Sequence, residues 1–511
     1  MVKRITFLFM VQHGLCAGKT GSSETEPISF PASEFWDGND GPWSSFGMQV
    51  GTPTQYLRLL PSNSGNAVWP VLPQGCAVGD PSDCGDLRGT LFQPNSSSTY
   101  YNIGLYGLGL TEEVGLGYSG NANFGYDNLT LGWPGDGLPT LSHQVIQGFS
   151  TKDFYIGSIG LSPHAINIST LDDPQPSFLG ALAQQNETPS TSWAYTAGAY
   201  YRQPTAFGSL TLGGYDAARI VQNNITFAFG PDTSRDLLVP VQSITSDAAS
   251  GPLLSTVIYS YIDSLVPHIW LPLGACQAFE KAFGLTYNET AELYFVNDTL
   301  HDKLVAQNPN LTFTLGPASA GGNTIDIVMQ YGSFDPMADY PIVNNATRYF
   351  PLRQAQNYTQ YTLGRAFLQD AYVIADYDRS NFSVSQAVFP NGSNTQQIVA
   401  IHRPGDIPPS IHRKTPSTGV IVGIAVAVVV SSFVIIATVV RYRVRKRTRE
   451  HASRICSVDQ GKDKAEPKPG ERELENTEKS QYLEMPVTEP KELTADEARR
   501  PELPAEPPFP V

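Results

Sequence analysis

Short runs in which apolar and polar positions alternate recur through the first 390 residues: SFGMQV, DNLTLGW, GSLTLGG, FTLG and YVIADY, each bounded by Gly, Pro, Asn or Asp. A two-residue period buries one face of a strand, so this part predicts a large, mainly β architecture. The longer period of an amphipathic helix stands out in two places, QPSFLGALAQQ and GACQAFEKAFG.

A different pattern occupies residues 419–440. GVIVGIAVAVVVSSFVIIATVV is 22 residues without a charge, long enough as a helix to cross about 30 Å of hydrocarbon. RYRVRKRTR follows directly, with Arg441, Arg443, Arg445, Lys446, Arg447 and Arg449. A basic cluster on that side predicts a type I, single-pass protein whose N-terminal part is extracellular or lumenal and whose last 71 residues are cytoplasmic. Asn-x-Ser/Thr sequons agree with this sidedness: Asn95, Asn128, Asn167, Asn186, Asn224, Asn288, Asn297, Asn310, Asn345, Asn357, Asn381 and Asn391 all precede the apolar segment. The start, MVKRITFLFMVQHGLCAG, reads as a signal peptide over 1–22. Residues 391–418, rich in Pro, Ser and Asn, read as a stalk, and 441–511 as a disordered tail. The expected membrane is the plasma membrane or a secretory or vacuolar one, with the bilayer as a partner through 419–440.

Composition and charge narrow the picture. At 511 residues with 41% hydrophobic and 16% charged positions, the chain exceeds one ordinary core and is not globally disordered. The net charge of −15 argues against a nucleic-acid partner. From Arg441 onward 15 basic residues meet 15 acidic ones, so the whole imbalance lies before the apolar segment. Of five cysteines, Cys16 and Cys456 fall to the leader and the tail. Cys76 and Cys84, eight apart in a Gly/Asp/Pro loop, are the natural disulfide of an oxidising compartment, and Cys276 reads as a buried thiol. No Cys/His spacing supports a metal, and no cofactor is implied.

An internal repeat is the most informative feature. Ser62 lies seven residues before Trp69, Asp263 lies seven before Trp270, and the two pairs are 201 residues apart. Each tryptophan precedes a cysteine, Cys76 or Cys276, and each half carries a later small motif, Ser158 to Gly160 (SIG) and Thr362 to Gly364 (TLG). A duplicated β lobe accounts for this order.

These landmarks resemble the pepsin-like aspartic peptidases, especially fungal members that are membrane-anchored or secreted. The resemblance runs from about Pro27 to Phe389 and rests on FGMQVGTPTQ, LFQPNSSSTY, GYSGNANFGYDNLTLG, GSLTLGGYDAARI, IDSLVPHIWLP and TLGRAFLQDAYVIADYDRSNFSVSQAVF, in order. It implies a bilobal double β fold with pseudo-twofold symmetry over 27–390, an N-lobe of about 27–195 and a C-lobe of about 196–390. A substrate cleft lies between the lobes under a flap. It also implies two Asp-Thr/Ser-Gly triplets whose carboxyls share a proton, one activating water and the other hydrogen-bonding the peptide carbonyl.

This chain departs from the pattern at those triplets. The first reads Ser62-Asn63-Ser64, without a carboxylate, and the second reads Asp263-Ser264-Leu265, without the glycine that gives the loop its tight turn. Ser62 and Asp263 are therefore read as vestigial catalytic positions, since a serine hydroxyl with no histidine beside it is no base. Asp80, Asp83, Asp86, Glu112 and Glu113 stand in no motif. Tyr118 falls near the flap tyrosine or is a turn aromatic, Trp69 and Trp270 read as core or cleft wall, and Arg365 stands where active relatives often carry an acid. The expected protein is a membrane glycoprotein, an inactive pseudoenzyme that binds extended peptide or glycan in its cleft. The alternatives are an active membrane-anchored endopeptidase with a non-standard site and a structural cell-surface glycoprotein. The tail's cytoplasmic partner stays open.

Overall fold

The computed structural model describes residues 25–170, 172–390, 396–406 and 431–448. Residues up to 410 form one compact unit and the remainder a second.

The first unit is mainly β. An eight-stranded sheet belongs to the N-terminal half and a seven-stranded sheet to the C-terminal half. A six-stranded sheet joins Ile28–Phe30, Ser192–Ala199 and Ala206–Leu212 to Phe227–Ala228, Ala371–Asp376 and Asn381–Gln386, so both halves contribute to it. Every alternating run quoted above lies in a strand or at its end, SFGMQV in Trp43–Val50 and YVIADY in Ala371–Asp376 among them.

The sequence repeat is a repeat of topology. In the first half Gln55–Ser62 pairs in parallel with Gly157–Gly160, which pairs antiparallel with Val68–Trp69, itself parallel to Thr140–Phe149. In the second half Ile258–Ile262, Thr362–Leu363, Ile269–Pro272 and Leu352–Ala355 repeat that order and those directions. Trp69 faces Ser158, and Trp270 faces Thr362. The glycine closing each small motif admits the loop beyond it: Gly160 N–H donates to Ala67 O and Gly364 N–H to His268 O, both at 3.0 Å. A Cβ would meet backbone at 2.5 Å on Gly160 and at 2.4 Å on Gly364, which is why both positions need glycine.

The two amphipathic runs form helices. Phe178–Gln184 is capped by the Ser177 hydroxyl, which accepts from Gly180 N–H, and Leu273–Phe283 buries Ala275, Cys276, Phe279 and Phe283 and stops at Gly284 in the left-handed region. A third helix, Asp298–Gln307, has no clear sequence signal because Leu304 is its one buried residue, although Asn297 caps it.

The chain after 390 differs in part from the stalk expectation. Ile398–Ala400 is a strand paired antiparallel with Gly214–Asp216, and Arg403 donates to Ala183 O at 2.7 Å. The two strands form a two-stranded sheet of their own. In the second unit residues 431–448 are helical and exposed, carrying the helix through the basic cluster to 448. Among the described residues no helix is long and apolar enough to cross a membrane. Residues 419–430 of the expected span, the leader 1–22 and the tail beyond 448 lie outside the described residues.

Candidate functional site

The repeated strand order delivers two loops to the middle of the first unit, where they grip each other. Asn63 N–H donates to Ser264 Oγ at 2.9 Å, Ser264 N–H donates to Asn63 Oδ1 at 2.6 Å, and Asn63 Nδ2 donates to Ile262 O at 2.8 Å and Tyr261 Oη at 3.0 Å. This near-symmetric exchange brings Ser62 and Asp263, one residue earlier in each loop, to equivalent places on either side of the axis.

Their surroundings differ. Ser62 is fully buried; its Oγ accepts the Gly65 N–H at 2.9 Å and lies 3.2 Å from Ser64 Oγ. Asp263 is fully buried too; its Oδ1 accepts the Leu265 N–H at 2.8 Å, while Oδ2 has no partner among the described residues. Burial first, and then the neighbouring Glu113 charge, hold the Asp263 carboxyl well above the usual carboxylate range, against the Leu265 N–H and Arg365.

Glu113 belongs to the segment between the strands Tyr101–Gly107 and Asn121–Leu131, which includes the short helix Glu112–Gly115. Its side chain is 1% exposed; Oε2 accepts the Thr111 N–H at 3.2 Å and Oε1 has no partner among the described residues. Two carboxyls, each with an unsatisfied buried oxygen, therefore stand in one electrostatic environment at the meeting of the lobes. Sequence reasoning names Glu113 but gives it no part, because its nearness to Asp263 depends on how this segment folds.

The same segment closes the cleft. Glu112 accepts from Ser234 Oγ at 2.8 Å and pairs with Arg235 at 3.3 Å, and Gln360 Nε2 donates to Gly115 O at 2.6 Å. Leu116 packs with Val266, Trp270 and Ala355 of the C-terminal half. Tyr118 stacks on Phe154 with ring centroids 5.2 Å apart and lines a small cavity with Leu265 and Arg365. From the other side Leu265, where a glycine would leave space, enters an apolar cluster of Ala67, Trp69, Phe154 and Ile166 in the N-terminal half. Burying such a leucine stabilises by about 1.5 to 3 kcal/mol. Besides that cavity the described residues leave a pocket of about 200 Å³ beside Ser64 and Glu113 and one of about 350 Å³ beside Tyr118 and Arg353.

Arg365 braces the second loop. Its guanidinium donates to Leu265 O at 2.5 Å and Ser264 O at 3.2 Å, and pairs with Asp40 of the N-terminal half at 2.9 Å. An arginine where active relatives often have an acid thus ties the altered triplet to the opposite lobe. Arg88, which sequence reasoning overlooked, is fully buried and donates to the carbonyls of Gly75, Thr151, Phe154 and Tyr155 at 2.7 to 2.9 Å.

Cys76 and Cys84 form a disulfide, and Cys276 is a buried thiol pushed up to about 12 by burial. Asp80 is held by Lys152 and Tyr340, which bring its carboxyl down to about 2, and Asp86 pairs with Arg58 at 3.0 Å. Both acids are thus engaged outside the cleft centre. Among the sequons Asn95, Asn167, Asn186, Asn224, Asn288, Asn297, Asn310, Asn345 and Asn357 are exposed, Asn128 and Asn381 are half-buried, and Asn391 lies outside the described residues.

A family model described as eukaryotic aspartyl protease matches residues 46–388. The aspartic proteinase yapsin-3 of Saccharomyces cerevisiae (strain ATCC 204508 / S288c) is 22% identical over 391 residues, covering 71% of this chain and 69% of that protein. The order of landmarks, the duplicated strand topology and a match over more than half of the chain agree: this chain belongs to the eukaryotic aspartyl protease family.

Proposed function

We propose that the protein is a type I membrane glycoprotein whose aspartic-peptidase-like ectodomain has lost catalysis and binds extended peptide in its interlobe cleft. The observation that carries this reading is Ser62. The first carboxylate is absent, and the hydroxyl in its place is already engaged by Gly65 N–H and Ser64. A lone, buried Asp263 has no partner on the opposite triplet with which to divide the roles of base and acid. Binding without cleavage draws on strand edges facing the cleft, where a peptide in extended form gains backbone hydrogen bonds. The membrane and glycan parts are supported by the 22 uncharged residues at 419–440, the basic cluster after them and the exposed sequons.

A second reading, an endopeptidase with a non-standard site, is favoured by Glu113, the carboxyl that acts on Asp263. Its weakness is positional: Glu113 rides on the segment covering the cleft, so the movement that admits a peptide carries the second acid away. The deciding experiment incubates the full chain with a broad peptide library from about pH 3 to about pH 7, beside Asp263→Ala, Glu113→Gln and Ser62→Asp. No cleavage by the wild type is expected. Cleavage that disappears in Asp263→Ala and in Glu113→Gln would establish the endopeptidase, and capture of glycans but not peptides would replace the ligand class.

A further inference from the structure

We propose that residues 111–118 form a latch that occupies the cleft in place of a ligand and is released when Asp263, buried at the meeting of the lobes, takes on charge. For its consequence, though not for the latch itself, the inference rests on the reading of the cleft as a binding site.

Three contacts of different kinds hold the segment against the C-terminal half. The Glu112 pair with Arg235 and its bond from Ser234 fix one end, the Gln360 bond to Gly115 O fixes the middle, and Leu116 fills an apolar notch made by Val266, Trp270 and Ala355. Between them sits a feature that closure alone does not explain. Glu113, its Oε1 buried and unpartnered among the described residues, lines one pocket with Asn63, Ser64 and Tyr261 and acts on Asp263, whose buried Oδ2 is likewise unpartnered. In a closure built only for strength an apolar residue there would cost less, because an uncompensated buried carboxylate is destabilising. Retained there, the buried Asp263 carboxyl makes the closed form depend on its proton.

The groups around the pair give the sign. Asp263 faces Glu113 and Glu112 from the segment, Arg365 from the helical turn Arg365–Leu368, and the Tyr261 hydroxyl from its own strand. Arg365 is shared with Asp40 and two carbonyls and Arg235 pairs with Glu112; Arg365 offsets part of the cost of charging Asp263, but burial and Glu113 outweigh it. Asp232 lies near Glu112, and His164 pairs with Asp236 at 3.0 Å on the pocket rim, with Tyr377 beyond it. His164 is raised by its bond to Asp236, a contact outside residues 111–118, whereas in the closed form burial raises the Asp263 and Glu112 carboxyls above their solvated values. Groups raised in this way favour the closed form below the solvated pKa, and that preference is lost as pH rises through the closed-form value. The latch is shut in acid and loosens toward neutrality.

The test follows amide exchange of the full chain in detergent micelles at about pH 4.5 and about pH 7.5, corrected for the intrinsic rate at each pH. Peptides covering 108–120 in the wild type are expected to exchange at least roughly tenfold faster at the higher pH, the factor given by one pKa unit of differential interaction. In Glu113→Gln, a neutral side chain of the same shape, the ratio is expected to fall below the wild-type value without reaching one, because burial still opposes charge on Asp263. Should that variant lose protection throughout the domain, Asp263→Asn removes the other member and is expected to bring the ratio near one. A wild-type ratio near one, or a ratio unchanged in both variants, overturns the latch. A parallel incubation with random extended peptides separates the two readings. A responding segment with no peptide bound at either pH leaves the latch standing and removes the binding function, whereas peptide bound equally at both over an unresponsive segment removes the latch.

Discussion

The two triplet loops share a backbone frame and have come to opposite ends. The first has lost its acid and become self-sufficient, with Ser62 receiving the Gly65 N–H and Asn63 taking over the cross-lobe grip through Ser264, Tyr261 and Ile262. The second has kept its acid and become dependent on others, with half of the Asp263 carboxyl unpartnered, Leu265 packed into the opposite lobe and Arg365 holding its carbonyls. The difference teaches that the frame is maintained by the middle residues of the triplets, which touch each other, and not by the carboxyl positions on which the chemistry of the family depends.

Four substitutions break or sharpen this contrast. The largest effect is expected for Arg365→Met, which takes the cation from half-buried Asp40 and frees the Ser264 and Leu265 carbonyls; a loss of about 3 to 5 kcal/mol, read from denaturant midpoints, follows from three lost charge-assisted bonds. Asn63→Ala removes the reciprocal grip and should cost about 2 to 4 kcal/mol, more than any change at Ser62, because it leaves several buried groups unpaired. A milder result than for Ser62→Ala would mean that the carboxyl positions, not the middle residues, maintain the frame.

Asp263→Asn should act with the opposite sign and in a pH-dependent way. The raised Asp263 carboxyl contributes stability to the wild type that is fully present below the solvated pKa of about 3.9 and drains away as pH climbs. The variant is therefore expected to match the wild type in acid and to gain on it by up to about 1.4 kcal/mol for each pH unit within the window between the two pKa values, seen in thermal melts from about pH 4 to about pH 8. The smallest change is expected from Ser62→Ala, about 1 kcal/mol in the same denaturation series, for one unsatisfied Gly65 N–H.

Much of this architecture is legible in the sequence because it is written locally and then repeated. SFGMQV and YVIADY are legible as strands from their alternation, although both faces of those strands are covered, and the spacing of Ser62 to Trp69 and Asp263 to Trp270 is carried over intact into the paired strand orders. The loss of the first acid is equally plain from Ser62. What the sequence hides are contacts between distant segments. Glu112 and Arg235 are far apart along the chain, as are Gly115 and Gln360, and nothing in either stretch announces that the covering segment is latched to the other lobe. Arg88 is hidden for a related reason. A charged residue in DLRGTLF suggests a surface, yet four carbonyl acceptors, three of them from the stretch 151–155 and one from Gly75, make its complete burial tolerable. The strand Ile398–Ala400 lies in a stretch whose Pro/Ser/Asn content suggests a stalk, and its partner Gly214–Asp216 is equally remote.

That last strand has a mechanical meaning. Tension arriving along the chain from beyond residue 406 meets the folded body first at Arg403 on Ala183, then at the Ile401 N–H bond to Gly213 O, and then at the ladder of Ile398, Val399 and Ala400 on Asp216, Tyr215 and Gly214, backed by the Gln397 N–H bond to Asp216. A ladder three residues long peels before a long one shears, and this short strand is in a two-stranded sheet of its own, outside the six-stranded sheet that unites the lobes. Under load the body would therefore pay out a short length of chain, like a fuse in a tether, before any strand supporting the two triplet loops felt the pull.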